Sequence, residues 1–260
     1  MSADFLTTIA KEKHALLASK EAYYVNLRKN LKTVNHRYSI FKKAISKPGV
    51  VNLIAEVKKA SPSVGLIRED FNALGIAKIY AANGASALSV LTEEKYFLGR
   101  LGYLKQITDD VPLPALMKDF IVHEYQIYEG YFYGASAILL IVAMLSDTQI
   151  KDLMQVAHAL GLDCLVEVHD DKELDRAVKV GAEIIGVNNR DLHSLKVDIN
   201  NCLSMIPHIP KDRIVVAESG LATIQDILNV KQAGAHAVLI GETFMKAPDI
   251  GAKVKELMRY

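Results

Sequence analysis

Eight short apolar runs divide this chain, and seven of them end in a polar side chain. The runs cover residues 51–57, 87–91, 113–117, 137–142, 164–166, 184–187, 214–217 and 237–240. Apolar runs of this length without polar alternation are typical of parallel strands that are covered on both faces. Eight such strands, each followed by enough residues for a helix, predict an α/β protein with a (β/α)₈ TIM barrel. In that fold the carboxyl ends of the strands line the active site.

A repeated dipeptide supports the same strand count. Gly-Ala precedes every second run, at Gly84, Gly134, Gly181 and Gly234, with intervals of 50, 47 and 53 residues. Each interval has the length of about one quarter of a barrel, and glycine supplies the positive φ that commonly ends a helix. A solenoid of similar repeats is the alternative. Four quarters with differing strand ends favour the closed barrel.

The first run ends with two opposite charges, Glu56 and Lys58. Alternate residues of a strand face the same side, so these two side chains lie together. Buried charges are costly unless they are paired or used in chemistry. The pair alone fits a structural ion pair as well as a functional one, but the recurrence of polar strand ends favours function.

The charge of the chain is unevenly distributed. Residues 1–48 carry ten Lys/Arg and three acidic residues, a net of +7, so the remaining 212 residues carry about −6. Helical spacing of apolar residues predicts one or two amphipathic helices there. We therefore expect a basic helical extension, 1–48, that caps a catalytic barrel domain, 49–260. Its basic face either attracts an anionic substrate or is a solvated surface, and the latter suits most of the individual lysines.

Composition excludes several classes of partner. A net charge of +1 argues against general nucleic-acid binding, and no apolar run is long enough to cross a membrane. Cys164 and Cys202 lack metal-ligand spacing, which predicts reduced thiols and a cytoplasmic location. No His, Cys, Asp and Glu set has the spacing of a metal site, so no metal is expected. His169 is interpreted as a structural residue.

The loops after the seventh and eighth runs contain Gly220 and Gly241. TIM barrels often bind phosphate at these two loops through backbone N–H groups, which glycine lets an anion approach closely. The alternative is that both glycines merely make turns. Glu242 has the wrong charge for a phosphate ligand, so it would have to contribute through its backbone N–H.

Several longer motifs carry a family resemblance. The segment 54–63, IAEVKKASPS, resembles the first-strand signature of the indole-3-glycerol-phosphate synthases. Five further segments are similar to other blocks of that family: LSVLTEEKYF (88–97), KDF (118–120), LVEVH (165–169), VNNRDL (187–192) and AESG (217–220). The resemblance runs in order from about residue 50 to the C-terminus, and the helical extension also suits this family.

The resemblance implies a reaction in tryptophan biosynthesis. The family converts 1-(2-carboxyphenylamino)-1-deoxyribulose 5-phosphate to indole-3-glycerol phosphate with loss of CO₂ and water. Ring closure, decarboxylation and dehydration need acids and bases of separated pKa, and involve neither net redox change nor hydrolysis. We therefore expect no cofactor. The expected partner is a small anionic substrate; a monomer is expected, and a weak dimer is left open.

The resemblance also assigns roles to residues at the strand ends. Lys118 is the implied general acid for ring closure, and Lys58, paired with Glu56, is the implied acid for dehydration. Glu167 is the implied base, and Asn188 and Glu218 orient or polarise nearby groups. The order in which the two lysines act is left open.

Binding residues follow from the same motifs. Arg190 and Ser61 are implied to hold the benzoate carboxylate, because a guanidinium offers two parallel donors. The implied apolar pocket consists of Pro62, Phe97, Phe120, Leu139 and Leu192. The phosphate is assigned to Ser219, Gly220, Gly241 and Glu242. Val64 departs from the family, which usually has a basic residue at this point of the loop.

Two other functions fit the fold. A barrel similar to phosphoribosylanthranilate isomerase would share the phosphate loops, but it calls for a cysteine–aspartate pair, and neither Cys164 nor Cys202 lies at a strand end. A catalytically silent binding or scaffold barrel would be expected to lose some of Glu56, Lys58, Lys118 and Glu167. All of these are present.

Overall fold

The computed structural model describes residues 4–31, 39–191 and 196–259. Eight parallel strands close into a barrel, which confirms the predicted (β/α)₈ TIM barrel. In chain order the strands are β1 (Asn52–Val57), the short β2 (Ala60–Ser61) and β3 (Gly65–Leu66) outside the barrel, β4 (Ala87–Leu91), β5 (Ala115–Lys118), β6 (Ala137–Ile141), β7 (Asp163–Val168), β8 (Ile184–Asn188), β9 (Ile214–Glu218) and β10 (Ala237–Ile240). Around the barrel the order is β1-β10-β9-β8-β7-β6-β5-β4.

Helices connect successive strands around the outside of the barrel, and two more follow the last strand, β10. They are α4 (Ala73–Ala82), α5 (Leu101–Asp110), α6 (Glu124–Phe132), α7 (Asp147–Ala159), α8 (Asp171–Val180), α9 (Asn200–Met205), α10 (Ile224–Ala233), α11 (Glu242–Met245) and α12 (Ile250–Leu257). Gly181 and Gly234 end α8 and α10 in the left-handed conformation, with φ of 86° and 117°. The predicted role of the Gly-Ala repeat in ending helices is therefore confirmed at these two helices.

The period of two along each strand decides which residues face the barrel interior. Ile54, Leu116, Leu165 and Val216 belong to the apolar cluster inside the barrel. Two residues further along these four strands lie Glu56, Lys118, Glu167 and Glu218, on the same face. The strands thus direct their polar ends inward, and all of those ends meet at one mouth of the barrel.

The loop after β1 contains one element that the sequence did not predict. Two-residue strands β2 (Ala60–Ser61) and β3 (Gly65–Leu66) pair antiparallel. Gly65 has φ of 74°, which lets the chain reverse. Val64 is exposed at this turn, and the antiparallel pairing makes the segment after β1 a small hairpin.

Three helices precede the barrel, whereas one or two were predicted. They are α1 (Asp4–Ser19), α2 (Glu21–Lys29) and α3 (Ile40–Ala44). Helix α1 lies at the mouth of the barrel where the polar strand ends meet, and there Lys13 Nζ is 2.5 Å from Asp119, the residue after β5. Helix α3 lies at the opposite end, where the Lys42 backbone N–H donates to Asp163 at the start of β7. Phe41 of α3 is fully buried in the interior cluster.

Candidate active site

A cavity of about 580 Å³ opens at the carboxyl ends of the barrel strands. It is lined by thirteen of the residues that the sequence analysis singled out or implied: Glu56, Lys58, Phe97, Lys118, Phe120, Leu139, Glu167, Asn188, Arg190, Ser219, Gly220, Gly241 and Glu242. The volume suits a ligand of the size of a substituted sugar phosphate. The polar strand ends are therefore gathered around one open cavity.

Lys118 is surrounded by three carboxylates. Its Nζ donates to Glu218 at 2.9 Å, and lies 3.7 Å from Glu56 and 3.8 Å from Glu167. Burial alone would lower the pKa of Lys118, but the three carboxylates raise it above its ordinary value. The ammonium is thus held charged in the cavity wall at neutral pH.

Glu218 lies behind Lys118 and is only 1 % exposed. Burial raises the pKa of its carboxyl to about 7; Lys118 opposes this shift and Glu167 adds to it. A carboxyl with this pKa can gain or lose a proton near neutral pH. The register pairs Glu218 with Asn188 of the neighbouring strand β8.

The pair predicted at the end of β1 is formed: Lys58 Nζ lies 2.6 Å from Glu56 Oε1. Burial opposes the charged carboxylate, but Lys58 and Lys118 hold the pKa of Glu56 below its usual value. Gly241 makes room for this carboxylate, since a Cβ at residue 241 would clash with Cβ, Cδ and Oε1 of Glu56. Gly241 therefore has a packing role beside its predicted role in phosphate binding.

Glu167 is held by two neighbours besides Lys118. Asn188 Nδ2 donates to its Oε1 at 3.0 Å, and His169 Nε2 lies 3.2 Å from the same oxygen, an ion-pair contact off the line of a straight hydrogen bond. Although burial disfavours the charge, His169 and Lys118 lower the pKa of Glu167 to about 2. Two carboxyls of one cavity, Glu167 and Glu218, thus have widely separated pKa values.

Two phenylalanines form the apolar wall of the cavity. The rings of Phe97 and Phe120 lie 6.1 Å apart, centre to centre. Glu93, which is buried, fixes the loop that carries Phe97: its carboxylate accepts the backbone N–H groups of residues 95–97 at 2.7–3.1 Å. The position of the aromatic wall therefore depends on a buried acid.

The loops after β9 and β10 form one corner of the cavity. Ser219 and Gly220 both have positive φ, 66° and 75°, a costly conformation for serine that is often found at functional sites. Asn189 Nδ2 donates to the Ser219 carbonyl at 2.9 Å. Thr243 Oγ1 donates to the Leu221 carbonyl at 2.8 Å and joins the two loops. The corner predicted to bind phosphate is thus tied together by side-chain hydrogen bonds.

Arg190 reaches this corner from the loop after β8. Its Nη2 donates to Glu242 at 3.2 Å and its Nη1 contacts Ser63 Oγ at 3.4 Å. Ser63 Oγ in turn lies 3.3 Å from Ser61 Oγ. Arg190 and Ser61 are therefore near each other, but Ser61 and Pro62 lie outside the residues that line the cavity. Leu192 lies outside the described residues.

Three residues of the site were missed or read differently in the sequence. Gly186 is a glycine inside a strand, a recognised signal of close approach, and Glu218 Oε1 fills the space of its missing side chain. Nothing in the sequence indicated that Glu93 fixes the Phe97 loop, apart from its position after an apolar run. His169 was interpreted as structural, yet it contacts Glu167.

Within residues 4–31, 39–191 and 196–259, no group of three or more His, Cys, Asp or Glu side chains is arranged to hold a metal ion. In the same part of the chain, no helix is long and apolar enough to span a membrane. Both cysteines are buried free thiols.

Solved structures share the fold at low sequence identity. The 3-hexulose-6-phosphate synthase from Salmonella typhimurium has a TM-score of 0.66 and 14% identity, covering 80% of this chain and 97% of that one. A mutant tryptophan synthase alpha-subunit from Pyrococcus furiosus has a TM-score of 0.61 and 13% identity, covering 80% and 98%. At these identities the likeness shows the barrel fold alone.

Sequence comparisons are more specific. The family model described as indole-3-glycerol phosphate synthase matches residues 6–257. Proteins named indole-3-glycerol phosphate synthase from Acetivibrio thermocellus and Aliarcobacter butzleri are 51% and 47% identical to this chain. The first match covers 85% of both chains and the second 93% of both. A third, from Dehalococcoides mccartyi, is 53% identical over 80% of this chain and 82% of its own length. The chain belongs to the indole-3-glycerol phosphate synthase family.

Proposed function

We propose that this enzyme closes the indole ring of 1-(2-carboxyphenylamino)-1-deoxyribulose 5-phosphate, forming indole-3-glycerol phosphate, CO₂ and water in tryptophan biosynthesis. The observation that carries this proposal is Lys118, a charged lysine held among three carboxylates at the wall of the cavity. The reaction needs an acid that remains protonated at neutral pH and a base that remains ionised beside it. Family membership supports the same reaction.

Lys118 is the proposed acid of the first step. The aromatic carbon that bears the carboxylate attacks the ketone carbon, and the ketone oxygen takes a proton from the ammonium. Glu218, with a pKa of about 7 and a 2.9 Å hydrogen bond to Lys118, is suited to return a proton to that lysine. The carboxylate then leaves as CO₂, and its bonding electrons restore the aromatic ring.

Lys58 and Glu167 are the proposed pair for dehydration. The hydroxyl formed in the first step leaves as water with a proton from Lys58, which is held 2.6 Å from Glu56. Glu167 removes a proton from the adjacent methylene carbon to complete the indole double bond. The low pKa of Glu167 keeps it ionised for this purpose, and Asn188 orients it.

The two ends of the substrate are assigned to different residues of the cavity lining. The aromatic ring packs on Phe97 and Phe120, and Leu139 also lines the cavity. The phosphate binds the backbone donors of the two loops that contain Gly220 and Gly241. We retain the prediction that Arg190 and Ser61 bind the benzoate carboxylate, for which Arg190 would leave Glu242.

Two further assignments remain predictions: a monomeric state, with a weak dimer as alternative, and a cytoplasmic location. The isomerase alternative is not favoured, because Cys164 lies in the first half of β7 and Cys202 in helix α9. The silent-barrel alternative is not favoured either, since each proposed acid and base is present and lies at the cavity.

The test is direct. Purified protein is incubated with the carboxyphenylamino-deoxyribulose phosphate, without added cofactor, and indole fluorescence is followed. We expect turnover that falls by about 10² or more in Glu167→Gln and Lys118→Met enzymes of unchanged melting temperature. No fluorescence from folded wild-type protein at high enzyme concentration would refute the proposed function.

A further inference from the structure

The charged side chains at the carboxyl ends of the strands do not balance among themselves. Glu56, Glu167 and Glu218 supply three carboxyl groups, whereas Lys58 and Lys118 supply only two ammonium groups. Lys58 lies 2.6 Å from Glu56, and Lys118 donates to Glu218 at 2.9 Å. Glu167 is 3.8 Å from Lys118, beyond a hydrogen bond. Neither lysine therefore serves Glu167 as its own partner.

His169 supplies the missing cation. It follows Glu167 by two residues, and its Nε2 lies 3.2 Å from Glu167 Oε1. Its Nδ1 lies 3.1 Å from Oε2 of Glu173, in the first turn of α8, and that same oxygen accepts the His169 backbone N–H at 2.8 Å. The side chain of His169 is only 13% exposed. The ring is thus held between two carboxylates.

The geometry decides the charge of this ring. A neutral imidazole carries one N–H, so its second nitrogen would present a lone pair to a carboxylate oxygen. Nδ1 has hydrogen-bond geometry to Glu173 at 3.1 Å, and Nε2 lies 3.2 Å from Glu167 Oε1 as an ion-pair contact. A neutral ring would turn a lone pair toward one of these carboxylates, whereas the imidazolium carries an N–H on both nitrogens. Burial disfavours that charge, but Glu167 and Glu173 together raise the pKa of His169 to about 10.

The groups around the ring come from three elements. Glu167 faces it from β7 and Glu173 faces it from α8. Asn201 of α9, which is uncharged, donates to the His169 carbonyl at 3.1 Å. Lys118 lies on the far side of Glu167. The charges that act on His169 are therefore two adjacent negative ones and a more distant positive one.

We propose that His169 is a positioning residue: an imidazolium that is charged at neutral pH and held by Glu173, and that keeps Glu167 ionised and oriented as the base of the reaction. The inference rests on the role proposed above for Glu167. Without the imidazolium, Glu167 would share one lysine with Glu56 and Glu218, and like charges at such distances favour uptake of a proton. The base would then be lost at low pH.

The pH dependence of kcat tests this inference. In a His169→Gln enzyme we expect the acid limb of the kcat profile to move up by about one pH unit or more, so kcat falls about tenfold on that limb. KM should change little, because the substrate's anionic groups bind elsewhere. Glu173→Gln should shift the limb in the same direction by less. Asp171→Asn, an exposed acid on the same helix turn, is the matched control and should leave the profile unchanged.

A second measurement does not depend on activity or on the variants folding. NMR titration of the wild-type His169 ring should find it doubly protonated at pH 8. A neutral ring at that pH, or an unshifted acid limb in both variants, overturns the inference. The variant Glu167→Gln separates the two proposals, because full activity in that enzyme would refute the base role itself, whatever the charge on His169.

Discussion

The carboxylate of Glu218 occupies the space that a side chain on Gly186 would fill. A Cβ at residue 186 would meet Glu218 Oε1 closer than Cβ atoms approach other atoms in proteins. The two residues lie on neighbouring strands, β8 and β9, and Glu218 holds Lys118 at 2.9 Å. A glycine in one strand therefore sets the position of the lysine that we propose as the acid.

Gly186→Ala should cut kcat at least tenfold, because Glu218 must shift and Lys118 with it. The atom that must move is at the end of the Glu218 side chain and not in the backbone. The melting temperature should therefore change little although kcat falls. Gly102→Ala is the matched control, since a Cβ there meets nothing within 4 Å. Steady-state kinetics and thermal melts of both variants make the comparison. Wild-type kcat in Gly186→Ala would show that Glu218 does not position Lys118.

Lys118→Ala should lower kcat by about 10² to 10⁴, the usual contribution of one general acid. KM should change much less, because the phosphate and benzoate sites lie elsewhere in the cavity. Lys78→Ala, which removes an exposed lysine, controls for loss of charge. Melting curves establish that the protein is folded. If kcat stayed within a few-fold of wild type, the role of first acid would pass to Lys58.

The barrel could be predicted from the sequence because its signals are local. Each strand and each helix end is encoded by a few neighbouring residues. Because alternate residues of a strand share a face, Glu56, Lys118 and Glu167 all point into the barrel. Contacts between elements were harder to predict. His169 meets Glu173 only because β7 leads into α8 at this angle, and Gly186 meets Glu218 only through the register of two strands. Motif resemblance named the acids and bases but not the residues that hold them.

The pKa of Glu218 predicts a pH dependence of stability. Its folded value of about 7 exceeds its ordinary value of 4.5, so between these pH values the folded protein holds a proton that the unfolded chain releases. Stability from this group is complete below about pH 4.5 and is lost as pH rises through 7. Glu218→Gln should therefore remove part of the fall in unfolding free energy between pH 5 and pH 8. Urea unfolding of both proteins across this range measures the unfolding free energy at each pH. If this free energy fell equally with pH in the wild type and the variant, the raised pKa of Glu218 would be contradicted.

Chelator treatment should leave activity unchanged. The described residues offer no cluster of metal-ligating side chains, and the proposed steps use only lysines and carboxylates. The assay compares enzyme dialysed against EDTA with untreated enzyme, both without added metal. Activity lost on dialysis and restored by one divalent ion would reveal a metal requirement that the proposed mechanism omits.

The N-terminal extension yields the last prediction, and three of its basic side chains pair with carboxylates of the barrel domain. Arg28 and Lys42, like Lys13 of α1, form ion pairs with barrel carboxylates, at 3.1 Å for Arg28–Glu124 and 2.6 Å for Lys42–Glu183. Paired charges contribute little to the long-range attraction of an anionic substrate. The extension should therefore act on the substrate mainly through its packing at the mouth of the barrel.

Deletion of residues 1–46 should raise KM and also lower the melting temperature. KM should rise because the Lys13–Asp119 pair fixes the segment that carries Lys118 and Phe120. Stability should fall because Phe41 leaves the barrel interior, and truncation of one such buried phenylalanine already costs about 3–5 kcal/mol. The change in KM should persist across a salt series, since screening at a Debye length of roughly 8 Å weakens steering by exposed charges but not packing. Neutralising the exposed Lys11 and Lys29 alone should leave KM nearly unchanged. A KM effect that vanished at high salt, or that the double lysine variant reproduced, would instead establish steering as the function of the extension.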